Sequence, residues 1–99
     1  MAFGVKKNEL LAWKREVSNG KIAILTHYWM DKRFPGCFTV TKVGCRDVEK
    51  LILWGREYCL LPEWIHMDKN YPHYDLFGEK QKEVLTKEGQ REQLNRFHL

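Results

Sequence analysis

Two stretches of sequence decide the predicted fold, and they are Lys21–Trp29 (KIAILTHYW) and Cys37–Val43 (CFTVTKV). The first contains an unbroken apolar run at residues 22–25, and the second is rich in β-branched residues, so both favour β-strands. The link between them ends in Phe-Pro-Gly at 34–36, where proline fixes one backbone dihedral and glycine permits the next. Because the link is short, the two strands are predicted to pair as an antiparallel hairpin.

Helical patterns flank this hairpin on both sides. Asn8 is a candidate N-cap for a helix that runs to about Val17, and Asp47 is one for a helix that runs to about Cys59. Each pattern repeats apolar residues at three- and four-residue steps, which predicts one buried face per helix. The residues predicted to lie in the core are Leu11, Trp13, Ile22, Ile24, Val40, Leu51, Ile52 and Leu85.

Residues 66–75 (HMDKNYPHYD) are polar and aromatic and include a proline, which indicates a structured loop. Asp75 is a natural N-cap for a helical pattern that extends to about Phe97, and Gly89 predicts a division of that pattern into two helices. The sequence therefore predicts a single small α+β domain over residues 1–99, in which a short antiparallel β-hairpin packs against three to four helices.

The composition of the 99 residues, 43% hydrophobic and 30% charged, is typical of a globular domain. No apolar run approaches the roughly 18 residues of a membrane span, so we expect no membrane partner. The three cysteines, Cys37, Cys45 and Cys59, are odd in number and lack zinc-ligand spacing, which favours buried thiols in a reducing compartment. We therefore expect a cytoplasmic protein.

Positive charge is concentrated in one segment. The chain has 17 basic and 13 acidic residues, and residues 21–46 alone carry five basic groups and one acid. Aromatic residues lie among these cations, a combination that suits phosphate attraction together with base stacking. The competing interpretation is an ordinary solvated face whose aromatic side chains belong to the core. If the segment does bind nucleic acid, the predicted contact residues are Lys21, Trp29, Lys32, Arg33, Lys42 and Arg46.

A His-x-Asp pattern occurs twice, at residues 66–68 and 73–75. Imidazole nitrogens and carboxylate oxygens bind divalent metals, so His66, His73 and Asp75 are candidate ligands of a small metal-dependent phosphodiester hydrolase. The alternative is that these histidines bond to neighbouring backbone groups and that the acid caps a helix. Apart from this possible divalent metal, no cofactor is expected, and the sequence leaves open whether the protein is an enzyme.

A third hypothesis is a protein-interaction domain. Residues 47–75 carry three basic and six acidic groups together with several aromatic side chains. A domain of this size cannot easily bury four tryptophans, so we expect Trp29 or Trp64 to be partly exposed. A homodimer is one way to cover such a patch, and opposed charges on the two segments favour it.

Residues 26–45 (THYWMDKRFPGCFTVTKVGC) and 72–85 (PHYDLFGEKQKEVL) resemble the corresponding stretches of a family of short uncharacterised proteins from Gram-positive bacteria. The resemblance covers most of the chain. It implies a bacterial cytosolic protein, and it assigns no activity and no catalytic role to any residue.

Overall fold

The computed structural model describes residues 4–30, 32–33 and 35–99. Its helices are α1 (Lys7–Ser18), α2 (Val48–Arg56), α3 (Gly78–Lys87) and α4 (Arg91–Arg96), and its strands are β1 (Ala23–Tyr28), β2 (Thr39–Gly44) and β3 (His73–Leu76). The strands form one antiparallel sheet in the order β1-β2-β3. The small α+β fold and the β1–β2 pairing are therefore confirmed, although the sheet has three strands and is not a two-stranded hairpin. The predicted turn at 34–36 includes residue 34, which lies outside the described residues.

Strand β3 corrects the prediction of a loop that continues to Asp75. Asp75 lies opposite Lys42 in the sheet, and Tyr74 lies opposite Val43. Asp75 is therefore a strand residue and not an N-cap, and Phe77 is the residue that precedes α3. Tyr74 is buried in the core while Asp75 is exposed, and this alternation stabilises the short strand.

The other helix boundaries follow the predicted signals more closely. The Asp47 carboxylate accepts a hydrogen bond from the Lys50 amide at 3.2 Å, so Asp47 caps α2 as predicted. Gly89, with φ of 69°, separates α3 from α4. Helix α1 begins before Asn8, because Lys6 is its N-cap and Asn8 is already helical.

The hydrophobic core lies on both faces of the sheet. Val43 and Tyr74 pack with Leu51 of α2 on one face. On the other face, Ala23 packs with Trp13 of α1. Of the eight predicted core residues, four are buried, namely Trp13, Val40, Leu51 and Leu85, and three are partly buried, namely Ile22, Ile24 and Ile52. The assignment of Leu11 to the core is wrong, because its side chain is 49% exposed.

A buried polar network fixes α3 against the sheet. The Gln81 side chain is 1% exposed; its Nε2 donates to Thr41 Oγ1 at 2.9 Å, and its Oε1 accepts from Thr39 Oγ1 at 3.1 Å. Thr41 Oγ1 also lies 2.7 Å from Thr26 Oγ1 on β1. These paired polar groups specify how α3 meets β1 and β2, because a shifted register would leave buried polar atoms unpaired.

The cysteines do not all lie in the core. All three are free thiols, and only Cys45 is buried; Cys37 is partly buried and Cys59 is exposed. The prediction of three buried cysteines is therefore wrong for Cys59. Within the described ranges, no helix has the length and the apolar character needed to cross a membrane.

Candidate functional site

A group of polar and aromatic side chains lies on the sheet face that α1 partly covers. Strand alternation places Leu25, Lys42 and Asp75 side by side on this face, since they are register partners across β1, β2 and β3. Helix α1 approaches one end of the face closely, where a Cβ on Gly44 would stand 2.7 Å from the Trp13 ring. A groove of about 630 Å³ lies between α1, the loop before β3 and the sheet. We refer to it below as the sheet groove.

His27 lines this groove and carries an unpaired nitrogen. Its side chain is 5% exposed, and Nδ1 lies 2.9 Å from the Tyr28 carbonyl oxygen, to which it donates. Its Nε2 is buried and has no hydrogen-bond partner in the described part of the chain. Burial lowers the pKa of His27, the Lys42 charge lowers it further, and the Tyr28 carbonyl and Asp75 act in the opposite direction without reversing the shift. The ring is therefore neutral near pH 7, with Nε2 as a bare acceptor.

Lys42 and Asp75 place opposite charges side by side on the same face. They are direct cross-strand partners, and Lys42 is half-buried. Burial acts to raise the pKa of Asp75, but the hydrogen bond and charge of His73, with the charge of Lys42, leave that pKa below its ordinary value. Asp75 is thus ionised near neutral pH and competes with any other anion for Lys42.

The predicted metal ligands meet at one corner of the sheet. His66 and His73 form an isolated antiparallel bridge, and their ring centroids are 5.2 Å apart. His73 Nε2 lies 3.5 Å from Asp75 Oδ1, while His73 Nδ1 donates to the Tyr71 carbonyl at 2.7 Å. The described ranges contain no group of three or more His, Cys, Asp or Glu side chains that could hold a metal ion. The geometry that this corner shows is a histidine–carboxylate pair.

The predicted nucleic-acid residues are spread along the whole sheet. Trp29 and Lys42 both line the sheet groove, and Trp29 is half-buried with its ring centroid 4.9 Å from that of Phe77. The exposed Lys32 and Arg33 lie in the hairpin link at one end of the sheet. At the other end, about 17 Å away along β1, are the exposed cations Lys21 and Arg46, which precede β1 and follow β2.

Lys14 and Tyr71 are among the groove residues that the sequence pattern did not indicate as site residues. The Lys14 ammonium lies 5.4 Å from the centroid of the Tyr71 ring, and both residues line the groove. They come from α1 and from the loop before β3, so only the tertiary fold brings them together.

The expectation that Trp29 or Trp64 is partly exposed is confirmed, since Trp64 is 56% exposed.

The fold and the groove define the class: a small α+β protein whose three-stranded antiparallel sheet carries a mixed aromatic and charged groove on one face. The chain belongs to the same family as the uncharacterised protein YneQ of Bacillus subtilis (strain 168), with which it is 56% identical over 99 residues that cover all of both chains. This relationship confirms the resemblance to an uncharacterised Gram-positive family. No family model matches the chain, and no solved structure matches it.

Proposed function

We propose that this protein is a nucleic-acid-binding module that holds a single strand along the sheet groove. The observation that carries the proposal is that Trp29 and Lys42 share one groove. Exposed cations lie beyond both ends of the sheet that forms this groove. A nucleic-acid strand that crosses the groove would meet positive charge at both ends of the sheet and an aromatic ring between those ends.

The chemistry of these groups favours a single strand over a duplex. Lysine and arginine neutralise phosphates and release counterions, which drives binding without reading sequence. An aromatic ring such as Trp29 stacks on a base only when that base is unpaired, and stacking tolerates any base. The groove volume of about 630 Å³ lies within the ordinary range for ligand sites, so a base and its sugar fit inside it.

The charge balance makes the binding weak and sensitive to salt. Besides Lys14, which lines the groove, the proposed surface has five cations, namely Lys21, Lys32, Arg33, Lys42 and Arg46, and Asp75 opposes one of them. If all five met phosphates of a single strand, the slope of log affinity against log salt would be about −3.5. Affinity would then fall roughly 100-fold between 50 and 200 mM salt.

The test is fluorescence anisotropy with a labelled 15-nucleotide single strand and the matching duplex, over a series of salt concentrations. We expect the single strand to bind more tightly, and the double variant Lys32→Ala/Arg33→Ala to weaken its binding and reduce the salt slope by about 1.4. The matched control is Lys82→Ala/Arg91→Ala, which removes two exposed cations from α3 and α4. The proposal is wrong if the native protein binds neither probe at low salt. Equal weakening by the control pair would also contradict the assigned surface.

A further inference from the structure

We propose that His27 and Lys42 form the phosphate subsite of the sheet groove, and that His27 takes up a proton when a phosphate group binds there. This inference rests on the proposed function, because it names the atoms that receive the nucleic-acid backbone. It goes beyond that function by linking nucleic-acid binding to proton uptake.

The hydrogen bonding of His27 determines what its second nitrogen can do. Because Nδ1 donates to the Tyr28 carbonyl, the neutral ring leaves Nε2 as an acceptor, and this acceptor is buried without a partner in the described ranges. Such an arrangement is unfavourable, since a buried polar atom normally finds a partner. Protonation turns Nε2 into a charged donor, and a charged N–H group binds an anionic phosphate oxygen more strongly than a neutral acceptor.

Lys42 lies on the same sheet face as His27 and interacts with it through its charge. It is two residues along β2 from Val40, which is the cross-strand partner of His27. In the absence of a ligand, the Lys42 ammonium would repel a protonated His27, which helps to keep His27 neutral. A phosphate group between them replaces that repulsion with attraction to both, so phosphate and proton bind cooperatively.

Other charged groups face the same space from each neighbouring element. Lys14 of α1 adds positive charge, and Asp68 from the loop before β3 adds negative charge. His73 also lines the groove, and Asp75 of β3 favours protonation of His27. These contributions modulate the coupling, but the groove offers no other buried, unpartnered side-chain nitrogen among the described residues.

Binding requires some rearrangement of the groove wall, because Nε2 is shielded from solvent. Lys42 is half-buried on a flexible four-carbon stem, and changes of side-chain rotamer are common when partners bind. The subsite is therefore expected to open as the phosphate enters, with Lys42 making the first contact.

The experiment follows the four histidine ring signals by NMR during pH titration, with and without a saturating 15-nucleotide single strand, and uses His27→Gln to assign the His27 signals. We expect the strand to raise the pKa of His27 by at least one pH unit, and the affinity of the native protein to rise roughly 3- to 10-fold from pH 7.5 to 5.5. His27→Gln should lose most of this pH dependence, while the control His98→Gln, at an exposed site, should keep it.

The outcomes separate this inference from the proposed function. Salt-sensitive binding with an unmoved His27 titration would overturn the subsite and leave the nucleic-acid function standing. If His27→Gln keeps the pH dependence of the native protein, the subsite is likewise overturned and the nucleic-acid function still stands. If no strand binds at either pH, both proposals fail. The titration of the native protein decides the question even if His27→Gln does not fold.

Discussion

Gly55 of α2 lies directly against the ring of Tyr74 on β3. A Cβ placed on Gly55 would stand 2.5 Å from the Tyr74 hydroxyl oxygen and 2.9 Å from the adjoining ring carbon, closer than real Cβ contacts allow. Tyr74 is 1% exposed, so its ring has no open space into which to move. The helix therefore gives up about 1 kcal/mol of helix propensity at Gly55 in return for close approach to the sheet.

Substitution of Gly55 should measure this contact. We expect Gly55→Ala to lower the free energy of unfolding by about 1–3 kcal/mol, because overpacking outweighs the better helix propensity of alanine. The Tyr74 hydroxyl is buried without a partner among the described residues, so Tyr74→Phe should be neutral or stabilising and should relieve part of the Gly55→Ala penalty. Urea unfolding of the two single variants and the double variant gives the comparison. A rise in the urea midpoint for Gly55→Ala alone would refute the packing argument.

Cys59 occupies a position that favours glycine. Its φ is 60°, and the next amide, that of Leu60, donates to the Gly55 carbonyl at 2.9 Å, which is the closing bond of a helix C-terminal motif. We expect Cys59→Gly to raise the free energy of unfolding by about 1 kcal/mol, because it removes the Cβ that makes the left-handed conformation costly. Cys59→Ala is the control, since it removes the thiol and keeps the Cβ. Equal stability changes in both variants would show that backbone strain is not the cause.

An ion pair between Glu9 of α1 and Arg96 at the end of α4 should make stability depend on pH. The two side chains are 2.7 Å apart and partly exposed. The hydrogen bond from Arg96 holds the pKa of Glu9 below its ordinary value of 4.5. The pair therefore stabilises the fold above that value, and its contribution is lost as pH falls through the lower pKa of the folded state.

Glu9→Gln should accordingly cost about 0.5–1 kcal/mol of unfolding free energy at pH 7. The difference from the native protein should shrink towards zero as the pH falls through the lowered pKa of Glu9. Glu16→Gln, at an exposed position on the same helix, is the control. Thermal unfolding across this pH range is the measurement, and a difference that stays constant with pH would exclude the ion pair as its source.

Trp29 and Trp64 should differ in their effect on nucleic-acid binding. Trp29 lines the sheet groove, whereas Trp64 lies in a short 3₁₀ turn that does not line it. We expect Trp29→Leu to weaken single-strand binding by roughly 5- to 100-fold, the range that corresponds to loss of one base stack. Trp64→Leu should change the affinity less than 2-fold. Anisotropy titration of the two variants tests stacking, and a larger loss for Trp64→Leu would place the binding surface elsewhere.

The local sequence was sufficient for the first two strands and insufficient for the third. The unbroken apolar run at 22–25 and the β-branched residues at 39–43 are strong local signals; all of the second and all but the first residue of the first lie in strands. Strand β3 has only four residues and follows a polar stretch, so its alternation is too short to distinguish from a loop. It forms because β2 offers a free edge and because Tyr74 fills the core, and both of these are long-range effects.

The candidate site was predictable by residue type but not by arrangement. Trp29 and Lys42 follow from the basic and aromatic composition of their segment, and the groove contains both. The sheet register separates the flanking cations, because Lys21 and Lys32 lie beyond opposite ends of β1. Tyr71 was missed because its contact with Lys14 joins residues far apart in sequence. No local sequence pattern predicts such a long-range contact.

The most direct test of the account compares Lys42→Gln with Asp75→Asn in single-strand binding at constant salt. The two residues are cross-strand partners of opposite charge, so their removal should have opposite effects. We predict roughly 5-fold weaker binding for Lys42→Gln and about 2- to 5-fold tighter binding for Asp75→Asn, because the asparagine no longer competes with phosphate for the ammonium. Unchanged binding by Lys42→Gln would contradict the proposal that the sheet groove binds nucleic acid. Weaker binding by Asp75→Asn would contradict it as well, and that is the result expected if Asp75 were a metal ligand.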